Sequence, residues 1–161
     1  MTVDVRPSDI SDFPAGDALL SRSYPKLLTA DYLPSVLVTA LPLISRAQPK
    51  LLTCGTYYVA QEAGRTLGAG EWTPDRARSG LGHIRHLVTD DRVLRRGVGR
   101  AILDHILAEA KMAGVTELEC WSTRTAVGFY TAVGFLSEGA MCFPLAPGIA
   151  FPAVRMRCHL P

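Results

Sequence analysis

The sequence lacks a long hydrophobic run. Its 161 residues are 48% hydrophobic and 20% charged, which is the composition of an ordinary globular domain. No apolar stretch reaches the ~18 residues that a membrane-spanning helix needs, and the opening MTVDVRPSDISDF is too polar for a secretory signal. We therefore expect one domain over residues 1–161, located in the cytoplasm and without a membrane partner.

Lysine is scarce and positive charge is dispersed. Only Lys26, Lys50 and Lys111 are lysines among 17 basic residues, and the formal net charge is +2. Because no long basic run could follow a phosphate backbone, the sequence argues against nucleic-acid binding. The four cysteines contain no C-x-x-C pair. This spacing argues against a metal site, and because the cysteines fall in apolar or strand-like stretches, we expect buried free thiols.

The segment LRRGVGRAIL, Leu94 to Leu103, joins arginines and two glycines to the start of an apolar helix pattern. The first N–H groups of a helix have no intrahelical partner and carry the positive end of its dipole. Gly97 and Gly99 allow a close backbone approach, and the neighbouring arginines add charged donors. The segment therefore predicts a phosphate-binding helix start, although an ordinary glycine turn has the same pattern.

The segment does not fully match either of two well-known phosphate-binding motifs. Walker A requires lysine and a hydroxyl residue after its last glycine, where this chain has Arg100 and Ala101. The dinucleotide fingerprint G-x-G-x-x-G finds a distant acid in Glu119, but Ile102 stands at its third glycine. A dinucleotide-binding protein remains an alternative on these residues alone.

The order of predicted elements indicates a mixed α/β fold. A strand over TVDVRP precedes two helical regions, the second divided by Pro34 and Pro42. A hairpin around 62–64 follows, and then strand 81–89, a helix ending at Gly114, a strand, a short helix and two final strands. The hairpin and the final strand pair argue against a doubly wound parallel sheet.

A second motif lies about thirty residues after the first. The segment AVGFYTAVGF, Ala126 to Phe135, has the form A-x-x-F-Y-x-x-x-G-F. Together with HLVTDDRVLRRGVGRAIL, it resembles the GNAT superfamily of acetyl-CoA-dependent N-acetyltransferases. The resemblance implies a central, mostly antiparallel sheet with one splayed parallel strand pair, flanked by helices. Two positions depart from the family pattern: Leu94 replaces Gln or Arg, and Thr123 replaces Asn.

The resemblance implies which residues hold acetyl-CoA. Strand residues ahead of the loop would bind the pantetheine arm, and the Q/R-x-x-G-x-G/A loop would bind the pyrophosphate. The implied cofactor residues are Leu87, Val88, Thr89, Arg95, Arg96, Gly97, Val98, Gly99, Arg100, Ala101 and Phe129.

The resemblance also implies the chemistry. Tyr130 matches the family tyrosine that protonates the departing thiolate, a transfer only ~2 kcal/mol uphill between ordinary pKa values of about 10 and 8.5. An amine would attack the thioester directly, so Cys120 would not be a nucleophile. A packing role for the Tyr130 ring is the alternative.

The general base is open to several residues. His86 or His83 could accept the amine proton, and strand alternation predicts that their rings point to opposite faces. We favour His86 because it lies nearer the expected thioester. Glu71 is a third candidate, and an ordinary structural role is possible for each of the three. Trp72 and the N-terminal tyrosines Tyr24 and Tyr32 could instead contact the acceptor or only pack.

The sequence thus predicts an N-acetyltransferase whose partners are acetyl-CoA and an amine acceptor, a small molecule or a protein amine, with a homodimer left open. The alternative is a non-catalytic acyl-CoA sensor that keeps the cofactor loop but not the acceptor chemistry. Fold alone does not choose among amines.

Overall fold

A seven-stranded sheet crosses the computed structural model, which describes residues 2–161. The strands are β1 (Asp4–Pro7), β2 (Tyr57–Glu62), β3 (Arg65–Pro74), β4 (Leu81–Thr89), β5 (Glu117–Ser122), β6 (Leu136–Ala146) and β7 (Ile149–His159). Their order is β1-β2-β3-β4-β5-β7-β6. Among these strands β4 and β5 pair in parallel, and the other neighbours pair antiparallel. The predicted mixed sheet is confirmed.

Helices cover both faces of the sheet. They are α1 (Phe13–Leu28), α2 (Pro34–Ile44), α3 (Pro49–Leu52), α4 (Val98–Met112) and α5 (Val127–Ala132). On one face, α4 packs its fully buried Ile102, Leu103 and Ile106 against the sheet. On the other face, α1 packs Leu19 and Leu20 against β2, β3 and β4. No helix among residues 2–161 has both the length and the apolar character needed to cross a membrane.

Glycines set the ends of α4. Gly97, just before its first turn, has φ 84°, and Gly114, just after its end, has φ 88°. Both angles lie in the left-handed region, which costs residues with a Cβ more than glycine. The helix therefore starts at the predicted phosphate loop and stops where the sequence predicted.

Two predictions are corrected by the fold. Pro42 lies inside α2 and does not divide it, since the helix continues to Ile44 and loses only the one hydrogen bond that the Pro42 nitrogen cannot donate. The four cysteines are free, but Cys120 alone among them is buried, while Cys54 and Cys142 are exposed and Cys158 is half-buried. An apolar or strand-like neighbourhood in the sequence was therefore not enough to predict that a cysteine is buried.

Strands β4 and β5 separate before β4 ends. Their register runs from Leu81 opposite Glu117 to Ile84 opposite Cys120, whereas β4 continues to Thr89. Beyond Ile84, β4 stays paired with β3 alone. The sheet thus opens at the end of β4, beside the start of α4, as the predicted splayed pair requires.

Candidate active site

A groove of about 660 Å³ lies between the end of β4 and the start of α4, and we call it the α4 groove. Its lining includes the predicted residues Leu87, Val88, Thr89, Arg95, Gly97, Val98, Gly99, Arg100 and Phe129, and also Leu94. Arg96 and Ala101 lie outside the lining. Arg96 is exposed, and the Ala101 amide donates to the Gly97 carbonyl at 3.0 Å.

The backbone at the start of α4 provides donors for an anion. The Ala101–Gly97 hydrogen bond is the first of the helix, so the amides of Val98, Gly99 and Arg100 precede it. Such leading amides carry the positive end of the helix dipole. These three residues line the α4 groove together with Arg95. This arrangement suits a phosphate or pyrophosphate group.

Gly99 is needed for space. A Cβ at this position would lie 3.2 Å from Thr89 Oγ1 and 3.3 Å from the Phe129 ring. These contacts are tighter than ordinary van der Waals packing, so the strand, the helix start and the α5 ring are held together around a bare backbone. The groove therefore fits an anionic group that approaches the helix amides closely.

A second cavity, of about 610 Å³, is lined by residues of both splayed strands, β4 and β5, and of α1 and α2. We call it the aromatic cavity because Trp121, Phe143 and Phe151 form one wall. The α4 groove and the aromatic cavity share five lining residues: Tyr24, Leu87, Thr123, Ala126 and Tyr130. The two spaces therefore meet at these residues, and groups bound in them could react there.

Tyr130 is buried where the two spaces meet. Its ring is 5% exposed and makes edge contacts with Phe129 and Phe135, with centroids 5.3 Å and 5.2 Å away. Burial raises its pKa well above the usual value. The phenol is therefore held protonated, as a proton donor must be before it acts.

A bulge in β4 places His86 in the aromatic cavity. His86 and Leu87 together oppose the single β3 residue Gly70, and His86 takes φ 56°. Bulges and left-handed non-glycine residues often occur next to active sites. Both His83 and His86 line the aromatic cavity. The prediction of opposite faces was wrong, because the bulge interrupts the strict alternation of the strand.

The two histidines differ in their partners. His83 is held by Asp75, with 2.7 Å between Nε2 and Oδ1. His86 Nε2 lies 3.8 Å from Glu71 Oε1. Although 40% of the His86 side chain is exposed, burial in the cavity and the charge of Arg85 lower its pKa. The neutral imidazole, which can accept a proton, is thus favoured near neutral pH.

Glu71 lies behind His86 instead of lining either cavity. It is 1% exposed, and the Cys54 thiol approaches its other carboxylate oxygen at 3.8 Å. Burial raises the pKa of Glu71, although nearby Arg85 and Cys54 oppose that rise. Its position makes it a partner for His86 and removes it from direct contact with a substrate.

The structure separates the remaining candidates. Trp72 is core, with its indole N–H donating to the Tyr58 hydroxyl at 3.3 Å. Tyr32 is also structural, because its hydroxyl donates to the Pro152 carbonyl at 2.7 Å and accepts from the Arg124 amide. Tyr24, by contrast, lines both spaces, and burial raises its pKa to about 12.

Thr123 and Cys120 were also singled out in the sequence. Thr123 Oγ1 accepts from the Ala126 amide at 3.2 Å and caps the turn into α5, so threonine can serve at this position in place of asparagine. Cys120 lines the aromatic cavity, but burial raises its pKa and keeps the thiol protonated. Within the described residues, no group of three or more His, Cys, Asp or Glu is arranged to hold a metal ion.

Comparison with known proteins gives a consistent family. The family model described as "Acetyltransferase (GNAT) domain" matches residues 48–158. No match is found among curated proteins. A solved GCN5-related N-acetyltransferase from Rhodopseudomonas palustris is 18% identical with a TM-score of 0.83, covering 99% of this chain and 97% of that one.

Two further solved structures share this fold. The PaiA N-acetyltransferase from Thermoplasma acidophilum, in complex with coenzyme A, is 15% identical with a TM-score of 0.76 and 99% coverage of both chains. The ribosomal-protein-S18-alanine N-acetyltransferase from Escherichia coli is 17% identical with a TM-score of 0.66, covering 99% of this chain and 94% of that one. At these identities the likeness concerns the fold.

Proposed function

The chain belongs to the GNAT acetyltransferase family, and from this premise we propose that it transfers an acetyl group from acetyl-CoA to a primary amine in a ternary complex. One observation carries the proposal: the α4 groove and the aromatic cavity meet at Tyr130, so two bound molecules could react there. The proposed acceptor, a small molecule or a protein amine, occupies the aromatic cavity.

The α4 groove fits the proposed cofactor. The amides of Val98, Gly99 and Arg100 would hold the pyrophosphate, and the open edge of Leu87 to Thr89 would bind the pantetheine arm. The PaiA neighbour was solved with coenzyme A, which supports the assignment. When bound, acetyl-CoA supplies a thioester whose carbonyl carbon an amine can attack.

His86 is proposed as the general base. Its lowered pKa keeps the imidazole neutral near pH 7, so it can take a proton from the incoming ammonium group. Glu71, 3.8 Å away, would stabilise the imidazolium that results. Glu71 then acts through His86 as a positioning residue, which is a narrower role than the catalytic one predicted from the sequence.

Tyr130 is proposed as the general acid. As the new C–N bond forms and the C–S bond breaks, the phenol protonates the sulfur and regains a proton from the acylated nitrogen. The net proton leaves through His86. No bond to the protein forms in this sequence, in agreement with a Cys120 thiol that stays protonated.

A kinetic assay tests the proposal. Thiol release from acetyl-CoA is followed with a panel of primary amines, and the acetylated amine is identified by mass spectrometry. We expect amine-dependent turnover with one acetamide formed per thiol released. Saturable binding of acetyl-CoA with no amine-dependent turnover across the panel would instead indicate the alternative, a non-catalytic acyl-CoA sensor.

A further inference from the structure

Arg85 brings a positive charge to the aromatic cavity. The Glu71 carboxylate opposite it in β3 is near enough to interact with this charge, but the two side chains form no ion pair. Its side chain is exposed and lines the cavity beside His86. Among residues 2–161, no carboxylate forms an ion pair with it and its guanidinium makes no side-chain hydrogen bond. A guanidinium is well suited to bind a carboxylate through two parallel hydrogen bonds.

The other charged side chains of the cavity are already paired. Arg46 lies 3.2 Å from Asp17. Glu119 lies 2.6 Å from Arg157 and accepts a hydrogen bond from the Trp121 indole at 3.0 Å. Glu119, the carboxylate that lines the cavity, is therefore engaged, and Arg85 is the charged lining residue that remains without an ion-pair partner.

The wall of the cavity is apolar and aromatic. Trp121 stacks on Phe143 with centroids 5.5 Å apart, and Phe143 makes an edge contact with Phe151 at 5.6 Å. Trp121 is still 41% exposed. Its indole N–H is committed to Glu119, so the ring presents a fixed apolar surface. Such a surface favours a large hydrophobic or aromatic group.

Resting on the proposed function, we infer that the acceptor is an amino acid with a large apolar side chain, whose carboxylate binds Arg85 while its amine meets His86. Arg85 and His86 are adjacent in β4, so the carboxylate and the amine of the acceptor would be close together, as they are in an α-amino acid. The influence of Arg85 on the pKa values of both His86 and Glu71 supports its proximity to this site. Polyamines, which carry only positive charge, would be repelled.

The test compares three matched acceptors: L-phenylalanine, L-phenylalaninamide and phenethylamine. Their kcat/KM values are measured at saturating acetyl-CoA with wild-type protein, Arg85→Gln and Arg85→Lys. We expect Arg85→Gln to lower the ratio of kcat/KM for the acid over the amide by about 10- to 100-fold, as for loss of a charge-assisted hydrogen bond. Phenethylamine should be affected little, and Arg85→Lys should keep part of the preference.

Comparing the same ratio between variants cancels the different basicities of the amines. Arg65→Gln, an exposed arginine at the start of β3, is the control and should leave the ratio unchanged. A ratio equal in wild-type protein and Arg85→Gln, with both folded by melting, would overturn the inference alone. Acetyl-CoA binding without turnover of any amine would instead contradict the proposed function, and this inference with it.

Discussion

The ring of Tyr130 is buried, and its packing can be separated from the proposed role of its hydroxyl as a proton donor. Tyr130→Phe removes the hydroxyl but keeps the edge contacts with Phe129 and Phe135. We expect normal melting and acetyl-CoA affinity, with turnover lowered by about 10²- to 10⁴-fold if proton donation to sulfur limits the rate. Steady-state and single-turnover kinetics measure the loss.

The nature of the leaving group provides the control for Tyr130. A thioester with a more acidic thiol needs less protonation, so the defect of Tyr130→Phe should shrink with such a substrate. A misplaced cofactor would slow all thioesters alike. Wild-type chemical rates in a folded variant that binds acetyl-CoA normally would show that Tyr130 only packs.

His86 should determine the acidic limb of the pH profile. Its pKa is lowered by burial and by the charge of Arg85, and the neutral form is the proposed base. Activity should therefore rise with pH through a midpoint below the ordinary histidine value of about 6.5. In the His86→Gln variant kcat should fall by about 10²-fold or more and this limb should be lost, while acetyl-CoA affinity stays near that of the wild type.

His83 is the matched comparison, because it lines the same cavity but is held by Asp75 at 2.7 Å. His83→Gln should retain the limb seen with wild-type protein. If the limb persists in His86→Gln and disappears in His83→Gln, the base is His83.

Among the helices and strands, the start of α4 is sensitive to the addition of a single Cβ atom at Gly99. Gly99→Ala adds a Cβ 3.2 Å from Thr89 Oγ1 and tests crowding alone. Gly99→Asp adds a carboxylate at the same point, next to the proposed pyrophosphate site. Isothermal titration should show a far larger loss of acetyl-CoA affinity for Asp than for Ala, with similar melting of the two proteins without ligand. Equal affinities would remove the phosphate site from this loop.

The turn between β4 and α4 is fixed by a buried carboxylate. Asp90 is 1% exposed, accepts from Arg22 at 2.6 Å and accepts from both the backbone and the side chain of Arg92. These contacts join α1 to the loop that precedes the α4 groove. Burial alone would raise the pKa of Asp90, but the hydrogen bonds from Arg92 and the charge of Arg22 lower it overall.

Asp90→Asn should lower the free energy of unfolding by about 1–3 kcal/mol, because a buried ionic hydrogen-bond partner is lost. Since the folded-state pKa lies below the ordinary aspartate value of about 3.9, the stabilisation is present above that pH and is lost as pH falls through the lower folded value. Denaturant unfolding at pH 7 and at about pH 3 measures both effects. Asp104→Asn, which breaks an exposed pair with Arg100, should change stability little. Equal effects of the two substitutions would contradict the role of Asp90.

Elements were predictable where local chemistry decides them. The turn of the β2–β3 hairpin has Ala63 and Gly64 at positive φ, and α4 lies between Gly97 and Gly114. The bulge at His86 was not predictable, because no glycine or proline marks it and it depends on pairing with Gly70 across the sheet. The sequence of β4 therefore identified the two histidines as candidates, but it did not predict that they lie on the same face of the sheet.

The site, too, was predictable only where its residues are local in sequence. The α4 groove could be predicted because its loop and the Phe129–Tyr130 motif are each contiguous in sequence. The aromatic cavity brings together residues of helices and strands that are far apart in sequence, among them α1, α2, β4, β5, β6 and β7. The proposed role of Arg85 and the wall at Phe143 therefore depend on distant segments meeting. Glu71 was predicted as a candidate, but its place behind His86 depends on the register between β3 and β4.

For the whole molecule, ligand binding should join parts of the chain that are far apart in sequence. The α4 groove is lined by Tyr24, Leu27 and Leu28 of α1 and also by residues that lie between Leu87 and Tyr130 in the sequence. A ligand that spans this groove binds the folded protein only, so it must raise the unfolding temperature. At 100 times its dissociation constant a ligand adds ~2.7 kcal/mol, which corresponds to roughly 5–10 °C for a chain of this size.

We therefore expect acetyl-CoA to raise the melting temperature by several degrees, whereas ATP and NAD at the same concentration should not. Pantetheine, which lacks the pyrophosphate, should stabilise the wild-type protein less than CoA does. The difference between CoA and pantetheine should shrink in Gly99→Asp, because the pyrophosphate is the part of CoA that is proposed to meet the substituted loop. Stabilisation by NAD and not by CoA would contradict the acetyl-CoA assignment and favour the dinucleotide alternative, since both ligands carry a pyrophosphate and they differ in what lies beyond it.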